Sequence, residues 1–358
     1  MAMDMSHFEP TEQIDADPPQ FTYPSLDEPS RPEVIDATSV PWPSPRDSDP
    51  DARAERASSV ARANRRAAHH QRRWVGLPLA LFAATWISTL LAGGFLDGWA
   101  TAASEGLWAG LTAGLAAGAW FAVPVMTILI CHEMGHFLQA RRWGVYASYP
   151  FFIPMPLSPF GTLGAVIAME PRMGNRRALF DIGVTGPLAG LVPTLIFTAV
   201  GLSWSEYEVL PPEGVGLLYG DPPLFRFIAH LVLGPQPTGT GIVFHPMAFA
   251  GWVGLFITAL NLIPIGQLDG GHVLYALLRK KAHVVASGLL LGATAMVVLF
   301  FEQYHMWLVM IMLLVAIGPN HPPTSNDETP LGWPRAVLGW LTLALILVGF
   351  TPTPIIVR

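Results

Sequence analysis

The sequence predicts an all-α polytopic membrane protein of about seven transmembrane helices (six if one C-terminal run stays short), with a small membrane-dipping β segment. Three observations predict it. Of 358 residues, 51% are hydrophobic and only 13% charged, whereas soluble domains carry about 25% charged residues. Apolar runs approaching the roughly 20 residues that a span requires recur from Trp74 onward. Arginine and lysine fall almost wholly on one side of those runs.

Residues 1–51 hold twelve acidic residues, two arginines and ten prolines. They have too little apolar content to bury a core and are expected to be disordered. Residues 52–73 hold seven arginines and one glutamate, which reads as a topogenic charge cluster at the membrane surface. The net charge of −6 is therefore set by the acidic tail, and nucleic acid is not an expected partner. The single cysteine, Cys131, allows no intrachain disulfide. The acidic, proline-rich start does not resemble a cleaved signal peptide, so the first span is expected to act as the insertion signal.

Candidate spans are 74–96, 106–138, 181–202, 246–263, 284–301, 305–318 and 335–350. The second contains Pro124, where a kink or break is expected. Segment 143–180 includes "YASYPFFIPMPLSPFGTLGAVIAMEPR". It is apolar yet too broken by proline and glycine to span, so short strands dipping toward the bilayer are expected there. Segment 203–245 is rich in glycine and proline and is expected to be a loop, and 351–358 a short tail. With the N-terminus cytoplasmic, inner segments carry eighteen basic residues and outer ones two, Arg226 and Arg358.

The chemistry starts at "HEMGH". His132 and His136 are four apart and share one helix face, a spacing that lets both imidazoles reach one zinc ion. Glu133 lies about 100° around the helix. It can border the metal without ligating it and accept a proton from the attacking water. Ionisable groups inside a membrane are costly and functional by default. Arg141 and Arg142 put these three near the cytoplasmic face. Catalytic zinc usually takes three protein ligands, and inner-side placement leaves Asp269 and His272, with His321 as an outsider. Asp269 stands at a helix break, where it could equally be an N-cap. His272 reads as a helix-surface histidine or a donor to Asp269. "GPLAG" (186–190) reads as close helix packing through small residues.

HEMGH together with "NLIPIGQLDGG" (261–271) resembles the site-2 protease family of intramembrane zinc metalloproteases. "GTLGAVIAM", "GPLAG" and "HPPT" add to the resemblance, the last toward the plant and cyanobacterial branch without a PDZ domain. The resemblance covers about 106–324. It implies one Zn²⁺ held by His132, His136 and Asp269, Glu133 as general base, and Asn261 orienting the substrate backbone or steadying the tetrahedral intermediate. It further implies a 74–350 metalloprotease domain with its core at about 106–281. The substrates would be transmembrane proteins in a lipid bilayer, cut near the cytoplasmic face of a bacterial inner membrane. Two other readings compete. A transporter or metal carrier would need a polar pathway across the membrane. A catalytically silent helix-binding relative would be expected to lack a ligand or Glu133.

Overall fold

The computed structural model describes residues 75–169, 174–209 and 217–357. Residues 1–73, the acidic stretch expected to be disordered and the basic cluster after it, lie outside them. Helix α1 spans Gly76–Glu105 and α2 spans Leu107–Arg142. The two pack along their length. Helix α2 runs unbroken through Pro124, so the break expected there is absent. Antiparallel strands β1 (Phe151–Pro154) and β2 (Thr162–Val166) follow, giving the β segment expected within 143–180. Phe152 sits in the same buried cluster as Phe121, Val125 and Leu129 of α2, which seats the hairpin beside the helix that carries HEMGH. Leu163 and Val166 of β2 are exposed.

Helix α3 (Arg176–Leu202) begins where the Asn175 side chain accepts from the backbone N–H groups of Arg177 and Ala178, both at 3.0 Å. An asparagine N-cap satisfies donors that otherwise lack partners. The segment after α3 is more than a loop. Strand β3 (Glu206–Val209) pairs with β5 (Thr240–Val243), and β4 (Leu217–Tyr219) precedes helix α4 (Pro223–Leu233). Pro223 suits a first helical turn, and Phe225 and Ala229 bury one face. Helix α5 (Pro246–Asn261) and α6 (Asp269–Leu278) flank the turn 262–268.

Helix α7 covers Lys281–Leu299 and the one-turn α8 covers Phe301–Tyr304. After a 3₁₀ turn at His305–Trp307, α9 covers Leu308–Ile317 and α10 Trp333–Gly349. Residues 355–357 form β6, antiparallel to β4, so the expected tail closes a small sheet. The described chain is thus mostly helical. Among its helices α1, α2, α3 and α7 are long and apolar enough to cross a membrane, and α4, α5, the 301–317 stretch and α10 are shorter apolar helices.

Candidate metal centre and active site

Helix α2 carries His132, Glu133 and His136 into the interior, each only 4% exposed. Asp269 opens α6 and reaches them from the other side. Its Oδ2 lies 3.0 Å from His132 Nε2 and its Oδ1 3.2 Å from His136 Nε2, while the two Nε2 atoms are 3.1 Å apart. Leu268, not Asp269, occupies the N-cap of α6, and no side chain caps that end. The capping role open to Asp269 is therefore forgone, and its carboxylate turns to the histidines.

The donor set fits zinc. Tetrahedral ligands at ~2.0–2.1 Å from zinc stand about 3.3 Å from one another, close to the spacing of these three atoms. His136 Nδ1 lies 2.8 Å from the Ile182 carbonyl oxygen. A carbonyl only accepts, so Nδ1 carries the proton and Nε2 offers its lone pair to the cluster. Two imidazoles and a carboxylate then converge with too few protons among them to bond one another, which a divalent cation would resolve. The Glu133 carboxylate accepts no hydrogen bond among the described residues, though it lies within electrostatic reach of His132, His136 and Asp269.

Helix α3 forms the wall. A Cβ at Gly186 would fall on His136 Nε2, and one at Gly190 would lie 3.1 Å from the His132 Cβ. "GPLAG" is close packing, as its small residues suggest, but the surface it packs on is the histidine pair. The sequence could show the small residues and not their partner.

Asn261 ends α5 and is half-buried; its side chain makes no hydrogen bond among the described residues. It shares the 261–269 turn with Asp269 but makes no contact with the trio that could be counted as a bond. His272 differs from the surface reading. It is 6% exposed, and its Nδ1 lies 2.7 Å from Nε2 of His321, itself 7% exposed. Among the described residues it bonds none of His132, His136 and Asp269; its partner is the outsider candidate, His321.

Fold and site together define a helical membrane protein with a buried cluster of two histidines and an aspartate suited to a divalent metal. The chain belongs to Peptidase family M50, whose profile matches residues 120–301. It is 32% identical over 221 residues to a protein named probable zinc metalloprotease EGY2, chloroplastic, of Oryza sativa subsp. indica, which covers 60% of this chain and 39% of that one. It is 32% identical over 242 residues to probable zinc metalloprotease EGY1, chloroplastic, of Arabidopsis thaliana, covering 65% and 42%. It is 28% identical over 249 residues to probable zinc metalloprotease EGY3, chloroplastic, of Oryza sativa subsp. indica, covering 63% and 41%. These relatives bear out the resemblance to the plant branch. The chain spans about two fifths of their length. No solved structure matches it significantly.

Proposed function

We propose that the protein is an intramembrane zinc metalloprotease that hydrolyses peptide bonds within or near transmembrane segments of membrane-protein substrates, as in regulated intramembrane proteolysis. The observation that carries this reading is the convergence of His132, His136 and Asp269 at 3.0–3.2 Å beside a buried glutamate that makes no hydrogen bond among the described residues. His132 and His136 through Nε2, and Asp269 through its carboxylate, would hold the metal. When bound, zinc supplies Lewis acidity that brings the pKa of water to about 7 and polarises the scissile carbonyl.

Glu133 takes the proton of the attacking water and delivers it to the leaving amine. With no hydrogen bond to it among the described residues, both oxygens are available for that transfer. Asn261 stands at the same turn as Asp269 and is assigned the donor to the substrate backbone or to the developing oxyanion. Helical substrates hide their amides in their own hydrogen bonds, so the segment to be cut must unwind first. Strand β2 could receive it by strand addition. Gly164 faces open space and Leu163 and Val166 are exposed, which leaves β2 accessible. The hairpin turn at residues 156–159 also lines a cavity of about 1060 Å³, but its other walls include Glu208, Asp221 and Thr240 and none of the metal trio, so it is not assigned to the substrate.

Seven spans with a cytoplasmic N-terminus are the arrangement that the basic residues support, with 74–350 as the protease domain and the site near the cytoplasmic face. The membrane is proposed to be a bacterial inner membrane; the chloroplastic names of the relatives favour a plastid membrane as the alternative. The peptidase family and the metalloprotease names of the relatives give the transporter reading no support, and the presence of all three ligand candidates and Glu133 speaks against the silent-relative reading. The test is cleavage of a reconstituted transmembrane substrate by purified full-length chain. Activity abolished by a chelator and restored by zinc supports the proposal. Activity untouched by chelation overturns it.

A further inference from the structure

Segment 318–331 lies behind the metal centre and ties together the elements that build it. Its Pro319 carbonyl accepts from Gly266 N–H at 3.3 Å. Its His321 meets His272 at 2.7 Å, and the His321 carbonyl oxygen lies 3.0 Å from His283 Nε2. Tyr275 of α6 stacks on the His321 ring at 4.6 Å and 23°, and its hydroxyl donates to Asp327 at 2.7 Å. Asn326 and Ser325 bond the backbone at the start of α3.

Helix α6 needs such support. At ten residues it is too short to hold itself. Its N-terminus has no side-chain cap, because Asp269 faces the histidines instead. The C-terminal end is secured, since the Arg176 guanidinium donates to the Ala276 and Leu277 carbonyls. The N-terminal half rests on segment 318–331. His272 lies three residues after Asp269, on the same helix face. Gly266, three residues before it, has φ +59°, and a Cβ there would stand 2.5 Å from the Gly318 carbonyl oxygen.

The direction of the histidine bond follows from its surroundings. His321 Nδ1 lies 2.5 Å from the Pro322 carbonyl oxygen and must donate to it. Burial lowers the His321 pKa to about 4, so at neutral pH its Nε2 carries a lone pair. His272 Nδ1–H therefore donates to His321 Nε2, which fixes the rotation of the His272 ring and the turn of α6 that bears it.

We propose that His321 is a positioning residue for the metal centre: by accepting the hydrogen bond of His272 it makes segment 318–331 a strap that holds Asp269 against His132 and His136. The inference rests on the metal reading of that trio. The test uses detergent-solubilised full-length chain and measures zinc affinity by chelator competition, together with cleavage at limiting and at saturating zinc. His321→Ala should lower zinc affinity several-fold, less than the about 10–100-fold lost with a partner bonded directly to a ligand, because His321 acts on Asp269 through His272 and α6. Saturating zinc should restore cleavage. His321→Gln, whose amide oxygen can stand in for Nε2, should recover most of the affinity, and His321→Asn, which is too short, should not. Asp327→Ala leaves the histidine pair intact and loosens only the strap's outer edge; it should cost affinity several-fold and still fold if His321→Ala does not. Unchanged zinc affinity in Asp327→Ala and His321→Ala, or equal loss in the Ala and Gln variants, overturns the inference alone. Wild-type chain that holds no zinc overturns the metal reading and this inference with it.

Discussion

Asp269 shows why residue identity alone did not decide its role. An aspartate at a helix start caps that helix in most proteins, and only the position of α2 reveals that its oxygens sit 3.0 and 3.2 Å from two imidazoles. Asp269→Asn keeps the shape but removes the charge. It should lower zinc affinity by at least the ~10–100-fold seen for outer partners, checked by metal analysis after dialysis. The HEMGH pair was legible because its spacing is a local property of one helix. The Gly186 and Gly190 contacts were not, because they depend on how α3 crosses α2. Gly186→Ala places a methyl group on the His136 ring. It should strip zinc from the chain even though alanine suits a helix, and zinc content close to wild type would contradict the packing described.

At the scale of elements, the hairpin and the strap matter most. The hairpin was legible in outline, since proline, glycine and aromatic residues exclude a spanning helix from 143–180. Proline at Leu163 or Val166 removes backbone donors from β2. It should reduce cleavage of a helical substrate more than of an unfolded one, and equal loss on both would count against strand addition. The strap was illegible because His272 and His321 are 49 residues apart and nothing local pairs them. It carries a pH dependence. His321 is buried among His272, Tyr275, His283 and Asp327, and its pKa of about 4 in the closed strap lies below the ~6.5 of a free histidine. The open strap binds a proton over that interval and the closed one does not. Closure is thus fully stable above about pH 6.5 and weakens as pH falls toward 4. Hydrogen exchange at 318–331, corrected for intrinsic rates, should show lower protection at pH 5 than at pH 7. Equal protection would mean that His321 is not held neutral. The missed helix α4 had a readable signal in the spacing of Phe225 and Ala229, outweighed by the glycine and proline around it.

For the whole molecule, the question is how a site needing water and charge is placed among apolar helices. Eighteen basic residues against two support the arrangement proposed, which puts HEMGH and the Asp269 turn on the arginine-rich side. The last helix is tied to this end as well. The Arg335 guanidinium donates twice to Asp181, at 2.8 and 3.0 Å, and the Trp143 indole donates to the same carboxylate at 3.2 Å. Asp181 precedes Ile182, whose carbonyl orients His136, so α10 braces the wall behind the metal. Orientation is open to a direct check because the chain has one cysteine. In a Cys131→Ala background, a cysteine at Lys281 should react only with reagents added from the cytoplasmic side, and one at Arg226 only from the opposite side. The reverse pattern would invert the topology and place the site at the other face.

The central claim is that the trio holds zinc while Glu133 moves the proton. Glu133→Gln separates the two roles in one protein. Zinc per chain and the rate of substrate cleavage are measured together on wild type and variant. The account predicts about one zinc in both, and a rate lowered about 10²–10⁴-fold in the variant. Unchanged cleavage, or zinc lost along with it, would contradict that division.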